Sequence, residues 1–169
     1  MVQIAVPSRE SDAHYEMARH KLEQGVSEVN GEHADLGSPA VHYIHKNLPF
    51  EELVALYLAA DIMLVTPFRD GMNLVAKEYV VSRTDLTGRL VLSEFAGAAE
   101  ELRGAYKVNP HDLEGIKTAI VSAMNASPKE TRARMSRMRR KTDRRDVFDW
   151  AHSFLVALQP ESPSHPASS

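Results

Sequence analysis

The residues best suited to chemistry lie in the run T-P-F-R-D-G-M-N-L-V-A-K-E-Y, positions 66–79. Asp70 and Glu78 are carboxylates that can accept hydrogen bonds from hydroxyl groups. Gly71 is free to take a positive φ in a turn, and Asn73 is a favoured N-cap, so the run predicts a helix from there to about position 81. The first turn of a helix presents free backbone N–H groups and the positive end of the helix dipole. This place suits a phosphate.

The spacing of the two carboxylates predicts an extended ligand. Glu78 lies about five residues into the helix, roughly 7–8 Å along its axis at ~1.5 Å per residue. Because helical side chains lean toward the N-terminus, Glu78 can point back toward a ligand that Asp70 reaches from the other side. A polyol at Asp70, a phosphate over the amides of Met72 to Val75 and a ribose at Glu78 describe a sugar nucleotide. An ordinary βα turn with an N-capping Asn and a surface Glu is the alternative from the residues alone.

Short apolar strands alternate with helical segments along the chain. The run before the motif, I-M-L-V at 62–65, predicts a buried strand, and similar runs occur at 2–6, 41–44, 90–93 and 105–108. Each is followed by a segment with helical patterning. This alternation predicts an α/β fold with a doubly wound parallel sheet, whose ligands bind at the carboxyl ends of the strands. A second turn of small residues at 94–99 predicts a close approach to a ligand or to the adjacent loop.

Composition limits the class of protein. The chain has 169 residues, 43% of them hydrophobic, which suits one domain with a sizeable core. A net charge of −3 gives no general attraction to nucleic acid or to an anionic membrane. The absence of cysteine excludes disulfides and thiolate metal sites, and the eight histidines are scattered, so no metal site is expected. We expect a soluble cytoplasmic protein.

The central motif also resembles a known family. The run R-D-G-M-N-L-V-A-K-E-Y, preceded by A-A-D-I-M-L-V-T-P-F and followed by L-V-L-S-E-F-A-G-A-A-E-E-L, is similar to the trehalose-6-phosphate synthases, retaining glycosyltransferases of the GT-B fold. The resemblance extends through I-A-V-P-S-R-E and D-W-A-x-x-F-L, roughly residues 2 to 157. It implies transfer of glucose from UDP-, GDP- or ADP-glucose to glucose 6-phosphate. It implies no cofactor.

The resemblance implies the following site residues. Arg9, in the P-S-R motif, contacts the phosphate of the acceptor, a task that suits the bidentate guanidinium. Leu48 contacts the donor through its backbone near the base, at a position where an aromatic residue is common. The remaining donor contacts come from the central motif: Asp70, Gly71, Met72, Asn73, Leu74, Val75, Ala76, Lys77 and Glu78. No complete catalytic set is expected in this chain.

The resemblance also implies an incomplete domain. Residues 1–158 correspond to part of the C-terminal, donor-binding, Rossmann-like domain, without its first βα unit and without the N-terminal GT-B domain. Because the first strand of a doubly wound sheet is central, its absence is expected to leave unpaired strand edges. No turnover by the isolated chain is expected, because the resemblance places a diphosphate-neutralising Arg and Lys in the missing βα unit and most acceptor contacts in the N-terminal domain. A full-length enzyme could be a homo-oligomer. The alternatives are a binding module for nucleotide sugars or phosphates without catalysis, and a remnant interaction domain.

The C-terminal third predicts packing and no further site. Residues 129–145 carry nine Lys or Arg. We interpret them as a solvated helix that packs through Met135 and Met138, because no aromatic platform accompanies the charges. A last amphipathic helix is predicted at 146–158. The Pro- and Ser-rich tail at 159–169 is predicted to be disordered.

Overall fold

A computed structural model of the protein describes residues 1–7 and 13–142. Arg9, the predicted helix at 146–158 and the predicted tail at 159–169 lie outside the described residues. The chain divides into two compact units, Met1–Glu52 and Leu53–Ser169. None of the helices in the described part has the length and apolar character needed to cross a membrane.

The first unit contains two strands and a long helix. Strand β1 (Val2–Ala5) pairs in parallel with β2 (His42–His45), with Val2 opposite His42, and helix α1 (Ala13–His33) joins them. The side chain of Asn30 fixes the end of α1 to the start of β2. Its amide donates to the carbonyl oxygen of Val41 at 2.9 Å, and its Oδ1 accepts from the Val41 N–H at 2.8 Å. This reciprocal pair sets where the second strand begins.

The second unit is built on a parallel sheet in the order β3-β4-β5. Helix α2 (Phe50–Ala59) begins in the last residues of the first unit and continues into the second unit. The other elements follow in chain order: β3 (Ile62–Val65), α3 (Leu74–Ser82), β4 (Arg89–Ser93), a short 3₁₀ helix (Gly97–Glu100), β5 (Tyr106–Val108), α4 (Leu113–Asn125) and α5 (Pro128–Thr142).

The three-stranded sheet is covered by helices on both faces, because successive side chains of a strand point to opposite sides. On one face Leu90 and Leu92 are buried in a cluster that includes residues of α2, α3 and α5. On the other face Val91 packs in a separate cluster with residues of α4. This double covering explains why β3 and the centre of β4, Leu90 to Leu92, are continuous apolar runs.

The predicted fold class is confirmed. The protein is α/β with parallel strands, and each predicted strand lies within two residues of an observed one. Among the described residues, β1 and β2 form one sheet and β3, β4 and β5 form another.

Helix α5 has the packed side predicted for it. Met135 and Met138 are buried, whereas Arg132, Arg137 and Arg140 are exposed. The described part of the basic segment is thus a helix that packs on the sheet through its methionines, with these three arginines in solvent.

Arg83, just after α3, is a buried arginine that joins three segments and is only 3% exposed. Its Nη1 donates to the carbonyl oxygens of Tyr57, Leu58 and Ala60 at 3.3, 2.6 and 2.9 Å. Its Nε and Nη2 donate to the two carboxylate oxygens of Asp85 at 3.0 and 2.9 Å. The guanidinium therefore caps the C-terminal end of α2, where backbone carbonyls lack partners within the helix.

Candidate donor site

The loop after β3 is organised by the Asp70 carboxylate. Its Oδ1 accepts from the backbone N–H groups of Met72 and Asn73, both at 3.0 Å, and its Oδ2 accepts from Asn73 Nδ2 at 3.0 Å. These bonds favour the ionised carboxylate, so the Met72 N–H, and after it the Asn73 side chain and N–H, hold the pKa of Asp70 below its usual value. Asp70 was predicted to contact a ligand. In the structure its carboxylate also holds its own loop in place.

We expect Asp70→Asn to lower the free energy of unfolding by about 1 kcal/mol at pH 7, in the range of a lost helix cap. The folded-state pKa of Asp70 is lowered, so its ionised form stabilises the protein above the unfolded pKa of 3.8, and this stabilisation is lost as pH falls below it. The difference in stability between wild type and Asp70→Asn should therefore shrink below about pH 4. Urea unfolding of both proteins between pH 3 and 7 measures it.

Asp85 provides an internal control for that comparison. Its pKa is also lowered, chiefly by the Thr87 hydroxyl, but it titrates alike in both proteins and cancels in the difference. A difference that stays constant from pH 7 to pH 3 would show that the Asp70 carboxylate contributes nothing as an ion.

Helix α3 begins as predicted, but the turn before it uses a different residue. Asn73 is the N-cap, and its side-chain oxygen accepts from the Ala76 N–H at 2.9 Å. The prediction that Gly71 takes a positive φ is wrong, because Asn73 itself has φ 66° and Gly71 does not lie in that region. Asparagine tolerates the left-handed conformation better than most residues, so the cap residue also makes the turn.

Fewer backbone amides are available to a phosphate than predicted. The amides of Met72 and Asn73 bond to Asp70, and that of Ala76 bonds to Asn73. The amides of Leu74 and Val75 take no part in these caps, and both residues are exposed. The first turn of α3 therefore offers these two N–H groups, together with the positive end of the helix dipole, to an anion.

A second loop is joined to this one through the backbone. Asp70 N–H donates to the Phe95 carbonyl at 3.2 Å, Gly97 N–H to that of Asp70 at 2.9 Å, and Ala98 N–H to that of Met72 at 2.8 Å. The close approach predicted for the small-residue turn is thus confirmed. A Cβ at Gly97 would overlap the carbonyl oxygen of Gly71.

Two charged side chains of α3 have partners on other segments. Lys77 Nζ pairs with Glu101 Oε2 at 3.0 Å, beyond the 3₁₀ helix. Glu78 is half-buried, and its Oε2 accepts from the Tyr57 hydroxyl at 3.1 Å. Tyr57 is a buried residue of α2 and was not among the predicted site residues. A buried tyrosine hydroxyl normally has a polar partner, which is the signal that could have indicated this contact.

The other predicted site residues lie elsewhere. Leu48 is half-buried in the loop between β2 and α2, within the first unit. Arg9 lies outside the described residues. The structure describes the run 70–78 as one loop and helix. The ligand-binding roles of all the predicted site residues, Leu48 and Arg9 included, stay predictions.

A parallel α/β sheet, with a loop and a helix N-terminus at the carboxyl end of β3, is typical of the doubly wound folds, whose ligands bind at this edge of the sheet. The sequence matches glycosyltransferase family 20 over residues 1–160. The chain belongs to glycosyltransferase family 20.

Among its relatives are two mycobacterial trehalose-6-phosphate synthases. The chain is 55% identical to that of Mycobacterium leprae over 168 residues, 99% of this chain and 34% of the relative. It is 56% identical to that of Mycolicibacterium smegmatis over 158 residues, 94% of this chain and 31% of the relative. The chain thus spans about a third of the length of these curated relatives.

Solved structures with the same fold also come from this family. An α,α-trehalose-phosphate synthase (UDP-forming) from Burkholderia xenovorans, in complex with glucose-6-phosphate, superposes with a TM-score of 0.89 at 42% identity. That match covers 94% of this chain and 35% of the other. An Escherichia coli structure bound to UDP-2-fluoro glucose gives 0.88 at 38% identity, covering 93% of this chain and 35% of that one. The fold is therefore that of part of a GT-B glycosyltransferase.

Proposed function

We propose that this chain is the donor-binding part of an α,α-trehalose-phosphate synthase, which transfers glucose from a nucleoside diphosphate glucose to glucose 6-phosphate. The observation that carries the proposal is the loop and helix at 70–78, where two carboxylates flank a helix N-terminus with two amides outside its caps. The named activities of the relatives support the reaction, and the described complexes with glucose-6-phosphate and UDP-2-fluoro glucose support the substrate classes.

The contacts of the loop and helix support the following proposed roles. The amides of Leu74 and Val75 hold the diphosphate, whose negative charge grows as the glycosidic bond breaks and is stabilised by the helix N-terminus. A carboxylate has about four lone-pair sites, and Asp70 uses three of them, so Oδ2 can still accept a hydroxyl of glucose. Glu78 holds the ribose diol. The backbone of Gly71 and Met72 lies beside the sugar.

The rest of the reaction needs groups supplied by the whole protein. We place Arg9 at the acceptor phosphate and Leu48 near the base, and no cofactor takes part. Residues 1–158 form the donor-binding part, and the first βα unit and the N-terminal domain complete the site. Because the resemblance places most acceptor contacts and part of the charge stabilisation in the N-terminal domain and the first βα unit, we expect residues 1–169 to bind donor without completing transfer by themselves. UDP is the first nucleotide to test, because related structures are described as UDP-forming.

Glu78→Ala tests the proposal. We expect it to weaken the binding of UDP to residues 1–169 by about 1–3 kcal/mol, because it removes a charged acceptor from the ribose while leaving a helix-favouring residue in α3. Isothermal titration calorimetry with UDP measures the change.

Glu114→Ala is the matched control, since it removes the same charge from an exposed position in the first turn of α4. It should leave UDP affinity unchanged. An affinity that Glu78→Ala does not alter would remove Glu78 from the site. A wild-type chain with no affinity for UDP would favour the remnant interaction domain.

A further inference from the structure

Tyr57 and Glu78 form a contact between helices α2 and α3. The Tyr57 hydroxyl donates to Glu78 Oε2 at 3.1 Å. Tyr57 is 2% exposed, whereas Glu78 is half-buried and can meet a ligand. One oxygen of the carboxylate is thus held by the protein interior, and Oε1 is the oxygen that Tyr57 does not engage.

The Tyr57 ring is itself held in place. The Tyr79 ring packs against it edge-on, with centroids 6.2 Å apart and planes at 81°. The backbone carbonyl oxygen of Tyr57 accepts from Arg83 Nη1 at 3.3 Å. A phenol held in this way fixes the direction from which it donates.

The phenol is also kept in the donating form. Burial, and after it the Glu78 carboxylate, raise the pKa of Tyr57 far above its usual value, so the hydroxyl stays protonated at neutral pH. The neighbouring Tyr79 hydroxyl donates to the Ala60 carbonyl at 3.2 Å and has no part in the Glu78 contact. Tyr57 and Tyr79 are both buried and both donate a hydrogen bond, but only Tyr57 donates to the Glu78 carboxylate.

We infer that Tyr57 is a positioning residue, which holds one oxygen of Glu78 so that the other receives the ribose diol of the donor. The inference rests on the proposed function, because it requires Glu78 to contact ribose. A free glutamate has three side-chain torsions, and fixing them before binding reduces the entropy lost when the ligand binds. Tyr57 therefore contributes to the preference for a ribose over a sugar without hydroxyls.

The test compares UDP with 2′,3′-dideoxyuridine diphosphate by titration calorimetry on residues 1–169. Tyr57→Phe removes the hydroxyl and keeps the buried ring. We expect it to weaken UDP binding about fivefold, in keeping with one hydrogen bond, and to leave the dideoxy nucleotide unaffected. In a Glu78→Ala background the same change should have no effect. Tyr79→Phe is the matched control, because it removes a buried hydroxyl that makes a hydrogen bond of similar length. It should leave the ratio of the affinities for UDP and the dideoxy nucleotide unchanged.

The ratio of the affinities for UDP and the dideoxy nucleotide remains interpretable when a variant is less stable than wild type. Both affinities come from the same sample, so a smaller folded fraction cancels. Equal weakening of both nucleotides by Tyr57→Phe, or an undiminished effect without Glu78, would overturn the positioning role while leaving the donor site intact. A wild-type chain that binds both nucleotides equally would instead overturn the ribose contact of Glu78, and with it this inference.

Discussion

Gly97→Ala is expected to lower the free energy of unfolding by about 2–4 kcal/mol and to weaken UDP binding at least tenfold. A Cβ at this position would overlap the carbonyl oxygen of Gly71 and lie 2.8 Å from its carbonyl carbon. Both atoms belong to the backbone, so no side-chain rotation can relieve the overlap. The two loops must separate, which breaks the hydrogen bonds from the Gly97 and Ala98 N–H groups to the carbonyl oxygens of Asp70 and Met72. Urea unfolding and UDP titration measure the two effects.

Gly71→Ala is the matched control for stability, because it alters the other side of the same contact. A Cβ at Gly71 would meet no atom within 4 Å, and the residue does not have a positive φ. We expect a change in the free energy of unfolding of less than about 1 kcal/mol. Equal destabilisation by the two substitutions would show that the close approach at Gly97 is not what limits the side chain there.

Arg83→Ala is expected to lower the free energy of unfolding by about 3–5 kcal/mol. The substitution leaves the carbonyl oxygens of Tyr57, Leu58 and Ala60 without their charged donor at the end of α2. Arg83→Lys should recover little of the loss, because an ammonium cannot reproduce the planar fork that serves these carbonyls and Asp85 together. Thermal and urea unfolding of both variants measure the effect.

Arg137→Ala removes the same charge from an exposed position on α5 and is expected to change stability by less than about 0.5 kcal/mol. If Arg83→Lys were as stable as wild type, a point charge would suffice at this position, and the bidentate geometry would be irrelevant to the fold.

The elements of the fold could be predicted because their causes are local. Four- to five-residue apolar runs bounded by turn residues predicted β3 and β4, and Asn73 predicted the start of α3. The turn itself was assigned to the wrong residue, since glycine and asparagine can both take a positive φ and Asn73 takes it here. Local chemistry thus predicted that a turn occurs, while the packing of the whole loop decided which residue makes it.

The contacts of the candidate site depend on residues far apart in the chain. Tyr57 and Glu78 are 21 positions apart, and Arg83 reaches back 26 positions to the carbonyl of Tyr57. No periodicity in the sequence encodes such pairs, because they arise only when α2 and α3 lie side by side. The type and position of Asp70 indicated a ligand contact, which stays a prediction. They did not indicate that Asp70 makes three hydrogen bonds within its own loop.

The free edge of β3 affects how the chain behaves in solution. Among the described residues β3 pairs only with β4, so the backbone N–H and C=O groups on its other side have no strand partner. The side chains of this edge, from Ile62 to Val65, are all apolar. Such an edge is a template for adding a strand from another molecule, although a length of four residues limits how firmly one can add. We therefore expect self-association of this chain through the β3 edge to increase with protein concentration.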